Sequence, residues 1–369
     1  MKKGIRVILE IVVFCLTYGG VIVIVLSYLK LFQRKLNKLA IFLPLCIMGG
    51  LFILLIIFQF SWDGGYSGLY VLFVSFIGLG IHVLFFCCIF LLITCCVKNM
   101  NRWIGMTIIC FVPVLYSLYG FIIPRIIKIE KVEFSHAAYT SDTPLKILQL
   151  SDVHLGAVYQ KQFVKTIVNK ILDNEPDIVV ITGDFFDDSL EVKSEWLEPF
   201  TEVQVPVLFT SGNHDCYYQK EDVVAITNTA NIIYLNKDTY EYKGVRFVGI
   251  DYDEDFDKSL DQLKKDGKLD DNMPNVLLLH SPEKASGAQK YNIFLTLSGH
   301  THNGQIFPGN VLGLLLFNCM NGIYKSGDGY TYVNSGVGDT FFPMRKILVI
   351  EIIRIIGFKL QSIQGFLRA

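Results

Sequence analysis

The distribution of apolar residues divides the chain into two parts. Long apolar runs fill the first third, at about Val7 to Leu29, Leu39 to Phe60, Leu69 to Val97 and Trp103 to Ile123. A helix that crosses a bilayer needs about 20 predominantly apolar residues, and each run is about that long. The pattern therefore predicts a membrane domain with four transmembrane helices over residues 1–127, followed by a linker over residues 128–144.

From Leu145 onward, short runs rich in β-branched residues alternate with segments of helical periodicity. Strands are predicted at Lys146–Leu150, Asp177–Ile181, Pro206–Thr210, Ile232–Leu235, Val245–Ile250, Val276–Leu279, Ile293–Leu297, Tyr330–Val333 and Ile347–Ile353. Helices are predicted at Gln160–Asn174, Lys220–Thr229, Phe256–Lys265 and Glu283–Tyr291. This alternation predicts an α/β layered domain over residues 145–369, in which the loops at the strand ends carry the functional groups.

Charge is distributed as unevenly as hydrophobicity. The chain through Lys131 has twelve basic and three acidic residues, and the remainder has 21 basic and 31 acidic residues. A net acidic globular part argues against nucleic acid as a partner, because affinity for phosphate backbones requires a basic surface. The bilayer is the partner that the apolar first third predicts.

The loops between the apolar runs decide the expected orientation. Lys and Arg are equally frequent on the two sides, with six on each, so the positive-inside rule gives no preference. The connection Ser61 to Gly68 has no basic residue and carries Trp62 and Tyr66, as an outer interfacial loop would. We therefore expect a multi-pass protein of the cell membrane with its α/β domain outside the cytoplasm.

Metal-ligating residue types follow the predicted strands of the second part. They are Asp152, His154, Asp184, Asn213, His280, His300 and His302. In an extended segment, residues two apart point the same way, so the two histidines of His300-Thr301-His302 are expected to face one point. Nitrogen and oxygen ligands without thiolate suit Mn, Fe or Zn. Seven ligands exceed the needs of one ion, and a pair of divalent ions is typical of phosphate-ester hydrolysis.

Five ordered motifs resemble the calcineurin-like metallophosphoesterase superfamily. Its pattern D-x-H, G-D-x-x-D, G-N-H-D/E, a lone His and G-H-x-H is present as Asp152/His154, Gly183-Asp184/Asp187, Gly212-Asn213-His214-Asp215, His280 and Gly299-His300/His302. The wording LSDVHLG, SGNHD and SGHTHNGQIFP is most similar to the bacterial membrane-associated phosphodiesterase branch. The resemblance covers roughly Leu145 to Ile353 and implies an αββα sandwich.

The resemblance also implies roles for individual residues. One metal would be held by Asp152, His154, Asp184 and His302, and the other by Asp184, Asn213, His280 and His300. His214 would act on the leaving oxygen as proton donor or charge stabiliser, with Asp187 orienting it. The alternative for Asp187 is a solvated loop acid.

The substrate contacts that follow from the resemblance are less defined. Some members carry Arg after the second Asp of G-D-x-x-D, whereas this chain has Asp188 there. Arg345 is a possible substitute for gripping phosphate, or else a surface residue. Asn303 and Gln305, which follow the last histidine, are expected near the substrate.

These observations predict a membrane-anchored phosphoesterase with two divalent metal ions. Its expected substrates are phosphodiester or pyrophosphate bonds of a lipid-linked or cell-envelope compound, with the phosphodiester favoured over the monoester. The alternative is a non-catalytic metal-binding scaffold or sensor module coupled to the membrane helices.

Overall fold

The structure is a computed structural model that describes residues 18–19, 67–96, 112, 115, 119, 126–187, 192–269, 272–285, 287–305, 308–339 and 347–357. The chain separates into two compact units. Helix α1, Ser67–Cys96, belongs to the first unit, and all the described strands belong to the second.

Helix α1 is 30 residues long and coincides with the third predicted membrane span. The other three predicted spans lie outside the described residues, apart from single helical positions. The longest continuous run of described side chains in α1 is residues 77–86. Within the part of the chain that the structure describes, no helix combines the length and the apolar content that a membrane crossing requires.

The predicted four-helix transmembrane domain is therefore wrong for the described part of the chain. The physical reason lies in what an apolar run reports. Such a run shows that its side chains avoid water, but it does not distinguish a helix in lipid from one buried in protein. In α1, Ile77 and the polar residues Ser75 and His82 are all buried.

The second unit contains twelve strands in its described residues. They are β1 Ile126–Ser135, β2 Leu145–Leu150, β3 Ile178–Thr182, β4 Val207–Thr210, β5 Ile232–Tyr234, β6 Asp238–Tyr242, β7 Val245–Gly249, β8 Asn275–Leu278, β9 Ile293–Ser298, β10 Gly322–Ser326, β11 Gly329–Val333 and β12 Ile347–Ile356. They form two six-stranded sheets, with orders β1-β12-β2-β3-β4-β5 and β10-β11-β9-β8-β7-β6.

Four α-helices lie among the described residues of this unit. They are α2 Lys161–Asn174, α3 Lys220–Asn228, α4 Phe256–Lys265 and α5 Gly309–Leu316. Strands β2, β3, β4 and β5 run parallel in the first sheet, and β7, β8, β9 and β11 run parallel in the second. The carboxyl ends of parallel strands meet at one edge, so the loops that follow them converge.

Three hydrophobic clusters define the layers. The central cluster joins side chains of the two sheets, including Ile147 and Val180 of the first with Phe247 and Leu295 of the second. A second cluster packs α2 on the outer face of the first sheet. A third packs α4 on the outer face of the second sheet. The α/β part of the predicted fold is thus confirmed.

The segment expected to be a linker contributes to the first sheet. Its extended stretch is β1, which pairs in parallel with β12 from Ile126 opposite Ile347 to Ser135 opposite Ile356. Strand β12 in turn pairs antiparallel with β2. The sheet therefore begins before Leu145, the first residue of the predicted α/β domain.

Some elements differ from the predictions. The helix expected at Glu283–Tyr291 is replaced by two short 3-10 helices, Pro282–Ala285 and Ala288–Tyr291. Between them Gly287 has φ of 93°, a left-handed conformation that ends a helical turn. Strands β6 and β10 and helix α5 were not predicted.

Candidate metal centre

Five loops at the carboxyl ends of strands bring the predicted ligands together. Strands β2, β3 and β4 of the first sheet lead into the loops of Asp152, Asp184 and Asn213. Strands β8 and β9 of the second sheet lead into those of His280 and His300. The centre thus lies at an edge to which both sheets contribute.

Four of the side chains form one group of potential ligands. Asp152, His154, Asp184 and His302 place one ligand atom each within 4.8 Å of all the others, and all four are buried. The Nε2 atoms of His154 and His302 are 3.0 Å apart. His302 Nε2 is 3.2 Å from Asp152 Oδ1, and His154 Nε2 is 3.7 Å from Asp184 Oδ2.

A second group contains Asp184, His280 and His300, again with one ligand atom each within 4.8 Å of the others. His280 Nε2 is 3.1 Å from Asp184 Oδ2 and 3.2 Å from His300 Nδ1. Because the Thr182 carbonyl can only accept, its 2.9 Å contact with His280 Nδ1 places the proton on that nitrogen. In a neutral His280 the Nε2 lone pair then faces Asp184.

Asp184 is shared by the two groups. Its Oδ2 atom is the one that approaches both His154 and His280. Its Oδ1 atom accepts a hydrogen bond of 2.8 Å from the His214 backbone N–H. This geometry fits a carboxylate that bridges two ions.

His214 lies at the edge of the first group. Its ring centroid is 4.7 Å from that of His154, and its Nδ1 atom is 3.7 Å from Asp187 Oδ1. That separation is longer than a hydrogen bond, but it allows Asp187 to attract a positive charge on the imidazole. His154, Asp187 and His214 form a third cluster of atoms within 4.8 Å.

Backbone strain is concentrated in the ligand loops. Asp152, His154, Asp184, His300 and His302 have φ values of 54°, 53°, 50°, 75° and 48°. Non-glycine residues avoid this left-handed region, at a cost of about 1–3 kcal/mol each, and occupy it only where the surroundings impose it. The segment after β9 is thus a turn. His300 and His302 therefore do not face one point, as they would in an extended chain. They belong to different groups of ligands.

Two glycines allow the loops to approach so closely. A Cβ atom on Gly183, which has φ of 82°, would overlap the His280 ring, and one on Gly299 would overlap Ser151 and Asp152. The glycines that precede Asp184 and His300 are therefore required by the geometry of the centre.

Two supporting residues were missed by sequence reasoning. Asp215 is buried, and its carboxylate accepts backbone N–H groups of Gly212 at 2.7 Å and Phe186 at 2.8 Å. It thereby joins the loop of Asp184 to that of Asn213. The Ser151 hydroxyl donates to Asp152 Oδ2 at 2.6 Å. Asp215 belongs to the G-N-H-D motif, but only the folded chain shows what it holds.

Burial and mutual charge shift the acidities of the imidazoles. Burial lowers the pKa of His154 to about 3 and that of His300 to about 4. Burial also lowers the pKa of His280, but the adjacent Asp184 carboxylate outweighs this and raises it to about 9. His154 and His300 are therefore neutral and able to ligate at neutral pH.

The carboxyl groups are shifted in opposite directions. Burial raises the pKa of Asp152 to about 6. Burial acts in the same direction on Asp184, but His280 and His214 reverse it and hold the Asp184 pKa well below its usual value. Asp184 is thus the permanent negative charge at the centre.

The donor set fits two divalent ions. Carboxylate oxygens and imidazole nitrogens from different strands converge at separations that suit a shared cation. Asn213 Oδ1 is buried and has no hydrogen-bond partner among the described residues, as expected for an oxygen that binds a metal. Asp152, His154, Asp184 and His302 would hold one ion, and Asp184, Asn213, His280 and His300 the other.

Two of the three predicted substrate contacts lie among the described residues. Asn303 and Gln305 are half-buried beside His302 and also have positive φ, 50° and 55°. Arg345 lies outside the described residues. Asp188, which occupies the position of the family's Arg, also lies outside them.

Two side chains near His300 were not predicted. The Tyr252 ring centroid is 5.9 Å from that of His300, and the Lys284 ammonium lies 4.0 Å from the Tyr252 ring. Lys284 also donates to the Tyr252 carbonyl. No sequence motif marks these residues, because Tyr252 reaches the centre from the loop after β7.

Comparison with known proteins identifies the domain. The family model of the calcineurin-like phosphoesterases matches residues 145–304. A Helicobacter pylori protein named "Uncharacterized metallophosphoesterase" is 35% identical over 221 residues, which are 57% of this chain and 59% of that protein. A Danio rerio protein named "Transmembrane protein with metallophosphoesterase domain" is 29% identical over 238 residues, 58% of this chain and 53% of that protein.

A third relative is matched over nearly its whole length. An Aquifex aeolicus protein named "Uncharacterized metallophosphoesterase" is 29% identical over 250 residues, 64% of this chain and 94% of that protein. The first two relatives are matched over little more than half of their length. Residues 145–304, which contain all seven side chains of the candidate centre, are therefore a calcineurin-like phosphoesterase domain.

Proposed function

We propose that this domain hydrolyses phosphodiesters with the help of two divalent metal ions. The observation that carries the proposal is the pair of ligand groups that share Asp184 Oδ2. Such an arrangement serves phosphoryl transfer, in which the attacking and the leaving oxygen both require stabilisation.

When bound, the two ions would lower the pKa of the attacking water and neutralise negative charge on the phosphoryl group. Mn, Fe or Zn suits the mixed oxygen and nitrogen donor set. The chain's own residues do the rest. Asp184 fixes the spacing of the two groups, and the strained loops hold the imidazoles in place before substrate arrives.

His214 is proposed to protonate the leaving oxygen. Its imidazole lies beside the first group, and 8% of the surface of His214 stays exposed. Asp187 at 3.7 Å stabilises the protonated form of the ring. The backbone N–H of His214 donates to Asp184, which keeps this loop in register with the bridging carboxylate.

The charge of the site favours a diester over a monoester. Each of the close contacts between basic and acidic side chains in the cluster is between a histidine and an aspartate. A monoester dianion needs a further cation such as Arg, and Asp188 replaces the Arg that some superfamily members carry. A singly charged diester needs less compensation.

The test compares two chromogenic substrates on metal-loaded protein. We expect the diester bis-p-nitrophenyl phosphate to be hydrolysed with a higher kcat/KM than p-nitrophenyl phosphate. We expect Asp184→Asn to lower both activities roughly a thousandfold, while His214→Asn lowers kcat and leaves bound metal unchanged. Hydrolysis by Asp184→Asn at the parent rate would refute the assignment.

A non-catalytic metal-binding module is the alternative function. It requires that metal bind without turnover, and the same assay excludes it once hydrolysis depends on His214. The lipid-linked or cell-envelope substrate belongs to this proposal. The extracytoplasmic location and the place within the membrane-associated phosphodiesterase branch stay predictions.

A further inference from the structure

Helix α5 exposes a row of aliphatic side chains. Val311, Leu312, Leu314, Leu315 and Leu316 are exposed by 50%, 51%, 68%, 82% and 75%. Single exposed apolar residues are common on protein surfaces. Five within one eight-residue helix form a contiguous patch, and such patches mark surfaces that meet another apolar phase.

The helix is fixed to the loop that carries the ligands. A Cβ atom on Gly304 would overlap the backbone of Asn310, and one on Gly313 would lie 2.9 Å from Met320 Sδ. The Thr301 hydroxyl donates to the Met320 carbonyl. The glycine side of α5 therefore packs against the loop of His302 and leaves the leucines outside.

The end of the helix reaches the metal centre itself. Phe317, which directly follows α5, has its ring centroid 6.5 Å from that of His300. At a rise of about 1.5 Å per residue, Leu314, Leu315 and Leu316 lie within one helical turn of Phe317. A phosphate group at the centre would have the apolar surface of α5 beside it.

A positive charge flanks the same histidine. Lys284 lies over the Tyr252 ring, which adjoins His300. Among the described residues, Lys284 forms no ion pair with a carboxylate. An ammonium group and an aliphatic patch beside one metal ligand match a molecule that has an anionic head and a hydrocarbon tail.

We propose that α5 inserts its leucines into the surface of a lipid bilayer, where the metal centre acts on an anionic phosphodiester held in that surface. This inference rests on the proposed function, for which it names the substrate class. Apolar side chains of a short helix enter the boundary between headgroups and acyl chains, and nearby basic residues attract anionic lipids.

A second copy of the chain or another protein fits this surface less well. Protein interfaces bury about 800 Å² on each partner and depend on Trp, Tyr and Arg anchors. Two turns of helix supply far less area, and residues 311–316 contain only Val, Leu and Gly. A lipid surface requires neither large area nor polar anchors.

Lipid contact is tested by quenching of an introduced indole. The full chain carrying Leu315→Trp is reconstituted in phosphatidylcholine bilayers with or without brominated acyl chains, and its emission is compared with that of the unchanged chain. The matched control is Leu172→Trp on α2, where the leucine is 43% exposed. We expect bromolipid to quench most of the added emission of Leu315→Trp and none of that of Leu172→Trp.

Absence of quenching in Leu315→Trp would overturn the proposal, and so would equal quenching in both variants. Cross-linking between two copies of a Leu315→Cys variant would also overturn it, because a second copy would then cover the helix. The experiment is repeated in the Asp184→Asn background. Quenching without activity there separates lipid contact from the proposed hydrolysis.

The substrate class is tested with one leaving group in two settings. Phosphatidyl-p-nitrophenol in phosphatidylcholine vesicles is compared with soluble bis-p-nitrophenyl phosphate. We expect the double change Leu314→Ser and Leu315→Ser to lower kcat/KM for the vesicle substrate by roughly tenfold or more, given the apolar area removed. The soluble substrate should be unaffected. An equal loss on both substrates, or no loss on either, would contradict the proposal.

Discussion

The two sheets supply chemically different halves of the metal centre. The first sheet contributes every oxygen ligand, from Asp152, Asp184 and Asn213, together with one imidazole. The second sheet contributes only imidazoles, from His280, His300 and His302. The first half therefore supplies the carboxylates of the centre, whereas the second half supplies imidazole nitrogens to both groups of potential ligands.

The halves also differ in how they are held. In the first half, the carboxylate of Asp215 accepts backbone N–H groups from two loops, and Ser151 donates to Asp152. In the second half, Gly299 packs against Ser151 and Asp152, and Gly304 packs against the start of α5. Hydrogen bonds thus position both halves, and close packing of glycines adds to them in the second.

Replacing the shared carboxylate should have the largest effect, because Asp184 belongs to both groups of potential ligands. Asp184→Asn keeps the shape and removes the charge that His280 and His154 face. We expect kcat/KM for bis-p-nitrophenyl phosphate to fall roughly a thousandfold, about 4 kcal/mol of transition-state stabilisation, with loss of bound metal measured by elemental analysis. Asp142→Asn, at an exposed loop position, is the control and should change neither quantity.

Removing the charge of Asp215 should weaken the first half in particular. Its two oxygens accept from Phe186 and from Gly212, and an Asn side chain would turn an N–H group towards one of these donors. We expect Asp215→Asn to lower metal affinity about 10- to 100-fold and to reduce the free energy of unfolding by about 1–3 kcal/mol. Titration calorimetry and chemical denaturation measure these effects.

The control for Asp215 is Asp222→Asn on the exposed side of α3. It removes an equal charge without removing a buried acceptor, so affinity and stability should stay at the parent values. If Asp215→Asn bound metal as tightly as the parent, the loops of the first half would not depend on this carboxylate.

Strand ends and ligand types could be predicted from the sequence because both are local. Val179 to Thr182 form an apolar run that ends at Gly183-Asp184, and strand β3 ends there. The exposed strand β6 was missed because every residue of Asp238–Tyr242 is exposed or half-buried, so no apolar run marks the strand. Helix α5 was missed because its leucines do not pack against a core. Its apolar residues therefore do not recur at the spacing of a buried helix face.

The arrangement of the ligand residues was less predictable from the sequence than their identity. His300 and His302 were expected to face one point as in a strand, but positive φ at both residues directs them to different groups. The function of Asp215 depends in part on the backbone N–H group of Phe186, which is 29 residues away in the chain. Such contacts exist only after the sheet has formed.

Acidity should separate the two halves, since a proton competes with metal for each ligand. Asp184 raises the pKa of His280 against the opposing effect of burial, to about 9. Below that pH a proton must leave His280 before an ion binds there, so affinity falls as pH falls. In the first half, burial raises the pKa of Asp152 to about 6 and lowers that of His154 to about 3. Protons therefore begin to compete there only below about pH 6.

Calorimetric titration with Mn²⁺ between about pH 6 and pH 9 should show this difference. We expect the weaker of the two binding events to lose about tenfold in affinity for each unit of pH, while the tighter event stays constant. His280→Asn should remove the pH-dependent event. Parallel changes in both events would show that protons compete equally at the two halves.

The smallest expected effect concerns Lys284, which adds charge to the second half without touching a ligand. Its ammonium lies over Tyr252 beside His300 and is partly exposed, so solvent weakens its attraction for a substrate anion. We expect Lys284→Met to raise KM for bis-p-nitrophenyl phosphate about threefold to tenfold with kcat nearly unchanged, because binding is then lost equally in ground and transition state. Lys290→Met, at an exposed position, should leave both constants at the parent values. A fall in kcat at constant KM would instead place Lys284 in the chemical step, and the second half would then contribute more than imidazoles to catalysis.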